Sequence, residues 1–499
     1  MKPHTILKRT SASLLVAFAL AACAAPEFKQ PPIAVPQAYK ESPAMTAADG
    51  TRWQPAQAAE AQARGAWWLA FDDAALTALV DEASANNAGL AQAAARLKQA
   101  RAIAGIAEAD RIPQVGVNVG AQRRQSSPAS QGLPAGTPMA PATIYQAHLS
   151  ASYEVDLFGR VASNIGAARS DAAASEATYR SVLLSLQADV AQTYFRLRAT
   201  DAELATLAQA VGLRQQSLQV NQRRFDLGDI GEFDLSRART ELATARAEAI
   251  GLQRRRALDE HALAVLLGRP AANFDAAARP LDTIASLPLI PAGLPSSLLQ
   301  RRPDVVNAQR AMEAANARIG VARSAMFPAL TLNASAGGEG GGVADVFKWS
   351  GRSWLLGALM SMPLIDGGRN RSNIARSEAM LEESVAGYRQ RVLVAFAEVE
   401  DNLAGLRILA GQAQQTDEAV ASARRSAQLA QLLYDAGRTG YLDLLEAQRN
   451  LTTVERSAVQ LRGARAVTTV ALVRALGGGW DAVAPQPSAP ILGKMAEVK

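Results

Sequence analysis

The chain has 499 residues, a formal charge of +6, 49% hydrophobic residues and only 5% aromatics. Three of those positive charges (Lys2, Lys8, Arg9) fall in an N-terminal leader, and the rest are too dilute for a nucleic-acid footprint, so no nucleic-acid partner is expected. The lone cysteine, Cys23, excludes internal disulfides, and His4, His148 and His261 lack the spacing of metal ligands.

Residues 1–22 read as a signal peptide. Lys2, Lys8 and Arg9 form its charged region, and Ser11 to Leu20 forms an apolar core too short to span a bilayer. Leu20-Ala21-Ala22-Cys23 looks like a bacterial lipobox; the other reading of Cys23 is a buried free thiol. The lipobox resemblance implies cleavage before Cys23, a diacylglyceryl group on its sulfur and an N-acyl group on the new terminus. Several acyl chains suffice for stable anchoring. Ala24, rather than Asp, follows the cysteine; in the families that use such a lipobox, that implies forwarding to the outer membrane. No later stretch is long and apolar enough for a transmembrane helix, and no other cofactor is expected.

Residues 23–73 form a proline-rich segment that runs through Trp67 and Trp68 into a first helix, 74–110, which Pro113 ends. A strand over 114–123 alternates Val115, Val117, Val119 and Ala121. After a flexible Pro/Gly/Ser segment comes the clearest period of two, strand 144–156. Tyr145, Ala147, Leu149, Ala151, Tyr153 and Val155 face one way, and Gln146, His148, Ser150, Ser152, Glu154 and Asp156 the other. Proline-free helices follow at 160–226 and 233–266, then a linker, 270–300. The second half repeats the order: helix 303–326, strands 329–337 and 353–364, helices 368–435 and 441–476, and a tail, 479–499. Gly337 to Gly342 reads as the loop between the strands, and the last strand alternates poorly.

The two halves are copies. Tyr179 to Gly268 overlays Tyr388 to Gly477 at a constant offset of 209, and Ile112-Pro113 matches Phe327-Pro328 at 215. Residues 74–269 and 301–478 are therefore one large unit built twice. A heptad (Leu183, Val190, Leu197, Leu204, Val211, Leu218, Phe225) runs along the first long helix, which implies left-handed supercoiling against partner helices. Read from Asn164 to Phe225, that helix is about 90 Å long at 1.5 Å per residue. The shorter helices 74–110 and 233–266, stacked end to end, match its length, which suggests an even cylinder wall. Thin polar helices make no normal core in one chain, so several copies must close the wall. An open sheet cannot sit in lipid with unsatisfied edges, so the strands must also be pooled between subunits.

The sequence resembles the TolC-like outer-membrane efflux proteins, more closely their lipid-anchored branch. The resemblance is carried by the lipobox, Asp156-Leu157-Phe158-Gly159-Arg160 and its counterpart Asp366-Gly367-Gly368-Arg369, and Arg301-Arg302-Pro303-Asp304-Val305. It continues through Tyr434-Asp435-Ala436-Gly437, Leu444 to Arg449, and Ala475 to Trp480. It implies a mainly α-helical chain with a membrane β-barrel, in which a homotrimer pools four strands per chain into a twelve-stranded barrel above a coiled-coil periplasmic tunnel. An equatorial collar would come from residues 23–73, 270–300 and 479–499. The implied partners are a periplasmic adaptor protein, an inner-membrane RND-type pump and outer-membrane lipid.

By motif match the periplasmic gate is Leu442, Asp443, Glu446 and Arg449. Ringed carboxylates favour cations in a narrow hole. Arg449, three residues after Glu446, could pair with it or with a neighbouring chain. Spacing alone reads equally as a solvated helix start with an acidic first turn. The adaptor-docking tips are Gly228, Asp229 and Asp234, and Gly437, Arg438 and Thr439, with both glycines expected at helix C-caps with positive φ. No enzyme constellation is present. The expected function is passive export of small molecules through a tripartite efflux pump. The alternatives are the duct of a type I secretion system and a coiled-coil surface lipoprotein without a pore.

Overall fold

The computed structural model describes residues 28–41, 66–281, 287–288 and 301–478. The leader, Cys23, most of the 270–300 linker and the 479–499 tail lie outside the described residues.

Asp73 accepts amide N–H groups of Ala75 and Leu76 at 2.9 and 3.2 Å and so caps α1 (Ala74–Asn86). The single helix expected over 74–110 is broken. Asn87 turns extended (φ −68°, ψ 122°), its side-chain carbonyl accepts the Leu90 N–H at 2.9 Å, and α2 (Ala88–Ala109) starts anew. Asn favours such a cap over a helix interior. Then come β1 (Gln114–Arg124), β2 (Ala142–Val155), α3 (Arg160–Asp226), α4 (Glu232–Leu266), α5 (Pro303–Ser324), β3 (Ala329–Gly340), β4 (Arg352–Ser361), α6 (Arg369–Asp435) and α7 (Tyr441–Ala475). The copies match in length: α3 and α6 have 67 residues each, α4 and α7 have 35. No helix among the described residues is long and apolar enough to cross a membrane.

The chain divides into two compact units, each drawing on both copies of the repeat. Of the described residues, one comprises 28–32, Arg96–Ser175 and Ala308–Tyr388; the other comprises those between 33 and 95, those between 176 and 307, and 389–478.

The first unit holds an antiparallel sheet of order β1-β2-β3-β4. Its register sorts the side chains. Val117, Leu149, Ala336 and Trp354 share one row, and Val115, Ala151, Ala334 and Leu356 another on the same face. The opposite face carries Asn118, His148, Gly337 and Ser353, then Gly116, Ser150, Ser335 and Leu355. Leu355 and Leu359 fall on this polar face, which is why β4 alternates poorly. β4 also ends at Ser361, before Pro363. Gly337 to Gly340 belong to β3, not to a loop. A Cβ on Gly337 would stand 2.0 Å from the Ala147 carbonyl oxygen, so glycine here serves close strand approach rather than a turn.

Each strand-to-helix exit is capped by aspartate. Asp156 accepts the Val161 and Ala162 amides at 3.0 and 2.8 Å. Asp366 accepts those of Gly368 and Asn370, both at 2.9 Å, which hold its carboxyl below the usual range. Beside these exits Phe158 stacks on Phe327, with centroids 4.9 Å apart. Small residues let α2 and α3 approach: Ala104 and Ala107 bury against Val161, Ile165 and Ala168.

The second unit has the larger core. Trp67, Trp68 and Phe71 pack with Leu76 and Val80 of α1, Tyr194, Phe195 and Leu197 of α3, Leu263 of α4, and Val470 and Val473 of α7. The Tyr194 hydroxyl donates to Asp73 at 2.7 Å. Residues 33–41 lie along α6, where the Glu400 carboxylate accepts the Lys40 and Glu41 amides at 2.7 and 2.9 Å. Helix ends abut helix starts in both copies. The Asn87 side-chain amide donates to the Leu266 carbonyl at 2.9 Å. A Cβ at Gly268 would lie 2.5 Å from the Asn86 carbonyl oxygen, and one at Gly477 would lie 2.9 Å from that of Arg301. The heptad is buried in its middle, at Val190 and Leu197, while Phe225 near the tip is exposed.

Candidate functional site

The hairpin tips of the second unit carry the residues singled out above. The α3–α4 turn is a Schellman closure. Gly228 takes φ 78°, its N–H donates to the Phe225 carbonyl at 2.9 Å, and the Asp229 N–H donates to Arg224 at 2.8 Å. The α6–α7 turn repeats it, with Gly437 at φ 66°, its N–H to Tyr434 at 3.0 Å and the Arg438 N–H to Leu433 at 2.8 Å. Nothing lies within 4 Å of a Cβ at either glycine, so left-handed backbone alone selects glycine.

The side chains then diverge. Asp229 pairs with Arg224 at 2.5 Å, and Arg224 also donates to the Tyr434 hydroxyl at 3.2 Å, tying one copy's tip to the other's. In the second copy Thr439 donates to Asp443 at 2.5 Å. Arg438 is exposed and Asp234 half-buried.

At the start of α7, Leu444 and Leu445 are buried, while Leu442 is 46% exposed and the Glu446 side chain 60% exposed. Leu442, Asp443 and Glu446 thus lie on a face that the chain itself leaves uncovered. Arg449 bonds Glu446 at 2.9 Å and, across to α4, Glu241, with Nε to Oε2 at 3.0 Å. That hydrogen bond and the Glu241 charge hold the guanidinium above its ordinary pKa. Tyr441 nearby is pushed up by burial and by Glu241, and its ring lies 6.1 Å from that of Tyr434.

Glu241 was not legible as a partner of Arg449 from local spacing. Seven residues on, Arg456 pairs with Glu248 at 2.9 Å and with Glu203 of α3 at 2.9 Å. Glu241 and Glu248, one heptad apart, thus face Arg449 and Arg456, also one heptad apart. The pairing offset of 208 is one short of the repeat's 209, so α4 and α7 run parallel with almost no axial slip. The only trace in the sequence was two carboxylates and two guanidiniums with the same seven-residue spacing, one residue off the repeat offset. Among the described residues no group of three or more His, Cys, Asp or Glu could hold a metal, and His261 is exposed.

Two copies of a strand pair and a long helical hairpin, with a sheet apolar on one face and polar on the other, define a channel-forming protein of the outer membrane. The chain belongs to the outer membrane efflux protein family, whose model matches residues 79–269 and 294–478, one stretch in each copy. It is 32% identical to the cation efflux system protein CusC of Escherichia coli, over 93% of this chain and 98% of the relative. It is 33% identical to the toluene efflux pump outer membrane protein TtgC of Pseudomonas putida, over 93% and 94%. The crystal structure of a membrane protein from Pseudomonas aeruginosa superposes with a TM-score of 0.82 at 31% identity, covering 91% of this chain and 97% of that one. The fold is TolC-like, mainly helical with strands of a membrane β-barrel. The protein is an efflux channel of the outer membrane extending into the periplasm, and its family is one of ducts rather than enzymes.

Proposed function

We propose that three copies pool their sheets into one twelve-stranded barrel, joined to a helical periplasmic duct that passively exports what an inner-membrane RND-type pump and its periplasmic adaptor deliver. The observation that carries this reading is the two-faced sheet. Its apolar face suits lipid and its polar face water, and β1 and β4 each end it with an unpaired edge that lipid cannot satisfy. Cys23 carries the acyl and diacylglyceryl groups of a lipid anchor. The tips at Gly228, Asp229 and Asp234 and at Gly437, Arg438 and Thr439 meet the adaptor, since both are short, fixed turns with polar termini.

Leu442, Asp443, Glu446 and Arg449 form the periplasmic constriction, supported by the uncovered face they share. Arg449 acts as its hinge pin, because Glu241 holds it to α4 while Glu446 draws it toward the constriction. Relatives of nearly equal identity are named for cations and for toluene, so the duct wall does not fix the substrate; small toxic solutes, drugs or metal ions all fit it.

Planar-bilayer conductance of the purified protein tests the constriction. Asp443→Ala/Glu446→Ala raises closed-state conductance and weakens divalent-cation block; unchanged traces remove the gate assignment. Cys23→Ala abolishes acyl labelling, and persistent labelling removes the anchor.

A further inference from the structure

The loop between β3 and β4 is tied down, yet it displays its aromatic residues. The Gly342 N–H donates to Asp345 at 3.0 Å, and Lys348 donates to the same carboxylate at 2.7 Å. A Cβ on Gly338 would stand 1.9 Å from the Val346 carbonyl oxygen, and one on Gly351 2.3 Å from that of Asp345, so the loop lies hard against its own strands. Even so, Phe347 is 84% and Trp349 80% exposed. The Arg352 guanidinium lies over the Trp349 ring, 3.7 Å from its centroid.

Two further facts orient this platform. Every strand joins its helix at the opposite end of the sheet, so this loop lies at the end away from the periplasmic helices, toward the cell exterior. The register puts Arg352 in the row of Val119, Ala147 and Gly338, on the apolar face. Arg123, two residues past Ala121, points to that same face, whereas Arg124 points to the polar one. Among the described residues no carboxylate pairs with Arg123 or Arg352.

A lipid-facing surface that ends in exposed aromatics and unpaired arginines matches the chemistry of a bilayer's headgroup layer. Aromatic rings settle at that depth. A guanidinium stacked on a ring keeps its N–H edge free for bidentate contact with phosphate. We propose that Arg352 on the Trp349 platform and, at the opposite edge of the sheet, Arg123 each bind phosphorylated headgroups of outer-leaflet lipids, fixing the barrel's depth at its outer rim. The inference uses the outer-membrane location and is independent of the tip assignment.

The full-length protein is placed in phosphatidylcholine nanodiscs doped with lipid A carrying both phosphates or with the same lipid A dephosphorylated, and retained lipid is counted by native mass spectrometry. The wild type retains the phosphorylated form in preference. Arg123→Ala/Arg352→Ala lowers that retention about tenfold or more, as losing charge-assisted bonds requires, with the dephosphorylated form unaffected. Arg124→Ala leaves retention unchanged. Arg123→Lys/Arg352→Lys, which keeps the charge and the fold, falls between. Equal retention by the double alanine variant, equal retention of both lipids by the wild type, or an equal loss in Arg124→Ala overturns the proposal.

Discussion

Arg302 shows how much of a motif's meaning lies outside the motif. Its side chain is 8% exposed; it bonds Asp304 at 2.7 Å and Glu398 at 2.6 Å, and it donates to the Ala475 carbonyl at 3.1 Å. Arg302-Pro303-Asp304 was visible in the sequence as part of a motif that carries the family resemblance, at the start of the helix expected over 303–326. Glu398 and Ala475 were not, because no local period links residues so far apart. Burial works to raise the Asp304 pKa, but the Arg302 hydrogen bond and charge outweigh it and hold the carboxyl below its ordinary value. Replacing Arg302 with Met leaves Asp304 without its counter-charge and costs about 3 kcal/mol, read as a fall in the thermal midpoint of the detergent-solubilised protein. A carboxyl with a lowered folded pKa contributes stability that is complete above the unfolded pKa and is lost as pH falls through the folded one. The wild-type advantage over Asp304→Asn therefore holds at neutral pH and shrinks only as acid passes below the ordinary carboxylate range. A midpoint difference that does not vary from pH 7 to pH 3 would mean that Asp304 contributes shape rather than charge.

Helices and strands were legible wherever a period ran long enough to outvote single residues. The two 67-residue helices, the hairpin turns and the alternation of β2 emerged near their expected places. The departures sit where one side chain, or the lack of one, decides. Asn87 splits a helix because its amide caps both ways, onto Leu90 and Leu266. Gly337 extends a strand because a neighbouring carbonyl comes too close for a Cβ. Four glycines at helix ends separate the two physical reasons for glycine. At Gly228 and Gly437 only the positive φ matters, and alanine there costs about 1–2 kcal/mol. At Gly268 and Gly477 the positive φ is joined by the carbonyls of Asn86 and Arg301, so alanine must also push backbone apart and costs more than about 3 kcal/mol. Thermal melts of the four single variants check the ranking. Equal costs at tips and junctions would show that the end-to-end helix contacts are not tight in solution.

For the whole molecule, the duplication sets what one chain can do and what it leaves undone. Building the unit twice gives four strands in one antiparallel sheet, with β1 and β4 as its outer members, and it pairs α4 with α7 in near-perfect axial register through the Glu241–Arg449 and Glu248–Arg456 ladder. α4 and α7 thus find each other within the chain, while the sheet keeps two open edges. The sequence pointed to this through its alternation and its repeat, but the number of copies that close the ring is not written in any single strand. Cysteine placement can decide it, because Cys23 is the only native cysteine and lies far outside the strands in sequence. Within one sheet β1 and β4 are three strand spacings apart, roughly 14 Å, well beyond the about 7 Å that a disulfide can bridge. A cysteine at Asn118, on the polar face of β1, combined in turn with one at Ser353, Leu355 or Gly357 of β4 therefore cannot close on itself. If sister chains supply the missing edges, at least one of these pairs oxidises into covalent trimers that resist boiling in detergent and return to monomer on reduction, while the single-cysteine controls stay monomeric. Monomers from all three pairs, in protein that still conducts, would mean that the edges are satisfied in some way other than strand pairing between copies.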